Sequence, residues 1–173
     1  MGYFSAENIK KLRKGYAEVS PKHAQLLNGF VWRNYKDERA KEFARHGFAR
    51  RVKTTARCIQ NIFRILPPEG DDLPSAEEVT DATVNLQAFV FNVYGATDNL
   101  AWIWVREKGV KESDGSPLRD LWVGLREKNK LVRESFSPEF QAYLKSMAAL
   151  VPQKSELATP PGQRGCCFLA LRL

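Results

Sequence analysis

The sequence predicts an all-α fold, an up-and-down helical bundle of about four to six helices with an irregular C-terminal tail. Three observations carry this. Residues 84–105, VNLQAFVFNVYGATDNLAWIWV, are largely apolar and hold no Lys or Arg and a single acid, Asp98. Apolar residues elsewhere recur at alternating steps of four and three, the period of one helix face. No stretch alternates apolar and polar residues with comparable strength, so strands are not expected. A chain of 173 residues can bury one real core, and the expectation is one domain over 1–151 followed by a tail over 152–173.

Ser5 caps a short basic helix expected to run to about Glu18. Ser20-Pro21 supplies a second cap with a first-turn proline, so a new helix is expected there, with Leu26, Leu27, Phe30 and Val31 on its apolar face. Residues 34–42 are almost wholly polar and read either as exposed helix or as a connection. Phe48, Val52, Thr55, Ile59, Ile62 and Leu66, with Phe63 beside them, then mark a long helix that Pro67-Pro68 stops. After the turn-rich PPEGDDLP, Ser75 and Glu78 have the capping-box spacing that opens the central helix. Val79, Thr83, Leu86, Val90, Val93, Thr97, Leu100 and Trp104 form its expected inward stripe, adjoined by Phe89, Ala96 and Ile103. A helix apolar on most of its circumference should be surrounded by other helices.

That helix should continue to about Lys108, because Gly109 and residues 113–117 make the next break. Ser116-Pro117 is expected to open a helix carrying Leu118, Trp122, Leu125 and Val132, and Ser137-Pro138 a last one carrying Phe140, Tyr143, Leu144, Met147 and Leu150. A run of roughly 20 apolar residues also suits a membrane span. Asn85, Gln87, Asn92, Asp98 and Asn99 interrupt this one, and the Asp alone costs about 2.5–3.5 kcal/mol at a bilayer centre. A buried bundle helix, with no membrane partner, is the expectation.

The composition, 43% hydrophobic and 27% charged, is that of an ordinary globular chain, which excludes wholesale disorder and fibrous repeats. The formal charge of +7 permits attraction to nucleic acid, an anionic membrane or an acidic partner, and is also a common route to solubility. Cys58 and the adjacent Cys166–Cys167 are poor material for a disulfide framework, which points to a reducing cytoplasm. The N-terminus lacks the continuous apolar core of a secretory signal and the C-terminus lacks a lipidation motif, so secretion is not expected.

The sequence carries no GxxxxGK phosphate loop, HExxH, CxxC or GxSxG motif. With only His23 and His46, a histidine-rich metal site cannot be built, Asp71-Asp72 reads as a solvated loop, and no metal or cofactor is expected. Arg50, Lys53, Arg57 and Arg64 share a helix face opposite Val52 and Ile59, with Arg45 and Arg51 near its start. They are either a phosphate-contacting track, for which arginine forks suit phosphate oxygens, or a charged face that solvates an amphipathic helix. Asn92 and Asn99 share a face of the central helix, and Gly95 between them invites close packing. A buried polar network of Asn92, Asp98 and Asn99 is expected there, either structural or orienting a catalytic or RNA-contacting group.

The run FNVYGATDNLAW, above all Asn92-x-x-Gly95-x-x-Asp98-Asn99-Leu100-Ala101-Trp102, resembles the bacterial HEPN-like helical-bundle proteins, over roughly residues 52–144. The resemblance implies an all-α bundle, commonly dimeric. Members are either metal-independent endoribonucleases of toxin, antiphage or RNA-processing systems, or non-catalytic RNA-binding and interaction modules. Activity in the family rests on an R-x(4–6)-H motif in a late helix. Here no histidine follows His46, Arg164 has no partner, and a proline-containing tail stands where that helix is expected, as though a last helix had been lost. The only such spacing is Arg39…His46, in the early polar segment. The resemblance therefore implies a non-catalytic, self-associating module that contacts RNA through Arg50, Lys53, Arg57 and Arg64. The alternative is an endoribonuclease working through Arg39 and His46.

Overall fold

The computed structural model describes residues 4–147, which are mostly helical and contain no strand beyond an isolated bridge between Lys111 and Pro117. The all-α bundle expected from the sequence is what the chain forms. It divides into two compact units, Met1–Ser135 and Phe136–Leu173. The first holds helices α1 (Ala6–Val31), α2 (Glu38–Glu42), α3 (Ala49–Ile65), α4 (Ala76–Lys108) and α5 (Lys130–Glu134). A π-helical turn, Phe43–Phe48, joins α2 to α3 without a break. The second unit holds α6 (Pro138–Ser146).

Helix α1 corrects one sequence expectation. The Ser5 hydroxyl caps it as foreseen, accepting from the Asn8 amide at 3.3 Å, but the helix runs straight through Ser20-Pro21. Proline in a helix interior removes a hydrogen bond and crowds the preceding turn, at a cost of about 3 kcal/mol. Contacts on both sides of Pro21 offset that cost. Tyr16 stacks on Phe63 of α3 with ring centroids 4.4 Å apart, Phe30 meets Phe48 at 4.4 Å, and Arg13 pairs with Glu69. The first half is thus held by α3 and the second by the π turn.

Residues 34–42 resolve into a connection and then a helix. The Asp37 carboxylate accepts from the Ala40 amide at 2.8 Å and caps α2. Helix α3 lies in the middle, with α1 on one flank and α4 on the other. The core is built from Ala40, Ala44, Phe48, Ala96 and Ile103, with Phe30, Tyr35, Phe43, Val52 and Leu100 packed around it.

Helix α4 begins and ends as read. Ser75 and Glu78 form the capping box, and Gly109 terminates it at φ 63°, in the left-handed region. Which face is buried is a second correction. Of the expected inward stripe, Val79, Thr83, Leu86, Val90 and Val93 are exposed, Leu86 by 54%, while Thr97, Leu100 and Trp104 are partly buried and Leu100 packs against the core. The neighbouring stripe carries the contact instead, with Ala82, Ala96 and Ile103 buried and Phe89 partly so. Small alanines let α3 approach closely, whereas the valine and leucine stripe has no such neighbour.

A third correction concerns residues 116–129. No helix opens at Ser116-Pro117, because the Asp114 carboxylate already engages the Ser116 amide at 2.9 Å and hydroxyl at 2.6 Å, and Pro117 pairs with Lys111. A 3₁₀ turn, Asp120–Trp122, and the short α5 follow. Leu118 and Val132 are buried as expected of apolar anchors, but Trp122 is exposed. In the second unit, Ser137 caps α6 and Phe140 stacks on Tyr143 at 5.8 Å. Leu150, Arg164, Cys166–Cys167 and the tail over 152–173 lie outside the described residues. Among those described, no helix is long and apolar enough to cross a membrane.

Replacing Pro21 with Ala is expected to stabilise α1 by up to about 3 kcal/mol, since Pro21 is exposed and its substitution restores one backbone hydrogen bond. Slower amide exchange along α1 is the measurement. Faster exchange would mean that the proline itself sets the path of the helix.

Candidate functional site, a basic groove

Residues 92, 95, 99, 102 and 106 step along one face of α4 by threes and fours. Opposite them stand Arg39 and Glu42 of α2, Phe43, His46 and Gly47 of the π turn, and Arg50, Arg51 and Thr54 of α3. Between the two walls lies an open groove of about 800 Å³, with Asp120 at its edge.

Two glycines set its shape. A Cβ on Gly95 would sit 2.3 Å from the Arg51 Cζ, so the Arg51 guanidinium lies directly on the α4 backbone. A Cβ on Gly47 would sit 2.6 Å from the Asn99 Nδ2 and 2.9 Å from its Cγ. Another helix is expected to pack closely at Gly95; what lies against it is the Arg51 side chain of α3.

The charges in the groove are unbalanced. Arg39 is engaged by Glu42 at 2.7 Å, and this hydrogen bond pushes its pKa further up. Arg50 donates from Nε to the His46 carbonyl at 2.5 Å, which leaves the two terminal nitrogens for other partners. Arg51 is partly buried, and its guanidinium has no hydrogen bond or ion pair among the described residues. Arg106 lies over Trp102, 5.7 Å from the ring centroid, and Trp102 in turn stacks on Phe43 at 5.5 Å. Three guanidiniums, those of Arg50, Arg51 and Arg106, thus line one groove without an acid bound to any of them among the described residues.

The structure brings Arg39, His46, Arg50, Asn92 and Asn99 to this groove. Lys53, Arg57 and Arg64 lie exposed along α3 beyond its lining. The expected buried network does not form. Asp98 is exposed, because adjacent helix residues point about 100° apart and it cannot share the face of Asn99. Asn92 donates to the Ala88 carbonyl at 2.8 Å, and the Asn99 Oδ1 is buried without a partner among the described residues. Gly47 and Arg106 went unnoticed in the sequence. The spacing from Asn92 through Gly95, Asn99 and Trp102 to Arg106 was the signal that could have found the second. Among the described residues no group of His, Cys, Asp and Glu is placed to hold a metal ion. No protein-family model matches the chain, nor does any curated protein or solved structure.

Gly47→Ala is expected to destabilise the fold by about 1–3 kcal/mol, because the clash with the short Asn99 side chain outweighs the roughly 1 kcal/mol that alanine gains in a helix. Asn99→Ala in the same background should recover part of the loss. A double-mutant cycle by urea unfolding measures the coupling, and additive effects would rule the contact out.

Proposed function

We propose that the chain is a non-catalytic binding module of the HEPN-like type, cytoplasmic, that contacts RNA through the groove and the exposed side of α3. The supporting observation is the set of guanidiniums of Arg50, Arg51 and Arg106 in one groove without bound acids. Planar guanidiniums donate in pairs to phosphate oxygens. From Arg50 to Arg64, with Lys53 and Arg57 between, exposed cations extend for about 21 Å along the helix. Affinity for a labelled single-stranded RNA should therefore fall steeply as salt rises. Arg50→Glu with Arg57→Glu should abolish it, and unchanged binding would sink the proposal.

Endoribonuclease activity is the second reading, favoured by one placement: His46 and Arg39 line the groove beside Arg50 and Arg51. An imidazole and a guanidinium able to reach one phosphodiester could supply general acid–base and electrostatic catalysis. Cleavage of labelled RNA in EDTA that disappears in His46→Ala would establish it.

Self-association belongs to the same proposal. The exposed stripe of Val79, Leu86, Val90 and Val93 on α4 is an apolar surface that a second copy would cover. Leu86→Glu is expected to turn a dimer into a monomer in sedimentation equilibrium without loss of helicity. An unchanged mass would move the interface elsewhere.

A further inference from the structure

We propose that the groove is a phosphomonoester site, taking the terminal phosphate of an RNA strand or of a nucleotide in preference to the diesters within a strand. This rests on the RNA-binding reading and sharpens it. The distinction comes from Arg51. The Arg51 guanidinium rests on the α4 backbone at the groove, and no acid is bound to it among the described residues, which leaves its donors for an anion. Arg50 and Arg106 stand in the same groove, equally free of bound acids. A diester offers one negative charge and two terminal oxygens. A monoester near neutral pH carries about −1.5 to −2 and three acceptor oxygens, which matches a groove lined by three guanidiniums. Internal diesters are better suited to Lys53, Arg57 and Arg64, which stand singly in solvent along α3. Of the two carboxylates at the groove, Glu42 is taken by Arg39, and Asp120 is exposed at the edge.

Gly95 is the positioning residue of this site. It touches no ligand itself, but only a residue without a side chain allows the Arg51 guanidinium to rest on α4, since a Cβ would stand 2.3 Å from its Cζ and Nη1. The far end of an arginine is flexible and can swing away. Gly95→Ala should therefore displace the guanidinium while leaving α4 as stable or more so, alanine being the better helix former.

The test uses the full chain and short labelled RNAs of one sequence bearing a 5′-phosphate, a 3′-phosphate or hydroxyls at both ends, followed by fluorescence anisotropy. AMP against adenosine provides the free-nucleotide arm. A phosphorylated end should tighten binding at least about tenfold, the scale of an added charge-assisted contact. Arg51→Met and Gly95→Ala should remove that gain, so that within each variant the phosphate-ended and hydroxyl-ended RNAs bind equally, with the melting temperature of Gly95→Ala unchanged or higher. Equal affinity for all three RNAs would overturn the monoester site and leave RNA binding standing. If no RNA binds, the RNA reading falls. In that case AMP binding without adenosine binding would support a nucleotide as the source, and binding of neither would overturn the site as well.

Discussion

The rest of the structure depends on how closely the α2–α3 segment approaches α4. The contact is made through side chains of minimal size. Ala40 and Ala44 are fully buried, Ala96 is buried opposite them, Gly47 lines the groove that opens beside the seam, and Gly95 lies beneath the Arg51 guanidinium. Close-packed interiors leave no slack at such a seam, so a single methyl group in the wrong place changes the spacing of both walls. The same proximity lets Phe43 stack on Trp102 and lets Arg51 rest on the α4 backbone. Core and groove are two sides of one contact.

Much of the helical framework could be read from the sequence because its signals are local. The Ser75 capping box and the left-handed Gly109 bound α4 where expected, and Ser137 begins α6. What failed depended on tertiary contacts. Pro21 reads as a helix start, yet Tyr16 and Phe30 dock on α3 and the π turn and carry the helix through it. Ser116 reads as a cap, yet both its donors, the amide and the hydroxyl, are already given to Asp114. In α4 the period announced an apolar face correctly, but two apolar stripes adjoin, and periodicity cannot say which meets a neighbour. The smaller one does, since alanine permits the shorter distance between helices.

The groove was legible in fragments. Asn92, Gly95 and Asn99 stood out as polar or small positions in an apolar run, and Arg50 and Arg51 as part of a basic stripe. That the two sets face each other is a property of the packing. Asp98 was drawn into the same set by adjacency in sequence, although its side chain leaves the helix about 100° away from that of Asn99. Arg106 continues the Asn92, Gly95, Asn99 and Trp102 face one turn further, where it reads at first sight only as a basic residue near a helix C-terminus.

The π turn explains why the N-terminal half of the groove was the hardest part to see. In a regular α-helix, residues four apart drift by about 40° around the axis at each step. Ala40, Ala44, Phe48 and Val52 are all four apart, and yet the first three are buried together with Val52 packed beside them. The wider turn cancels the drift: the Ala49 amide bonds to the Ala44 carbonyl, five residues back. It therefore keeps a four-residue stripe on the core side. Steps of three and four among large apolar residues pass over two alanines at this spacing, and so residues 34–42 read equally as exposed helix or as a connection. Turns of this kind are rare in helices and concentrate at functional sites. This one carries His46 and Gly47, so the same local widening that seats the alanines in the core also presents the histidine at the groove and holds the glycine against Asn99.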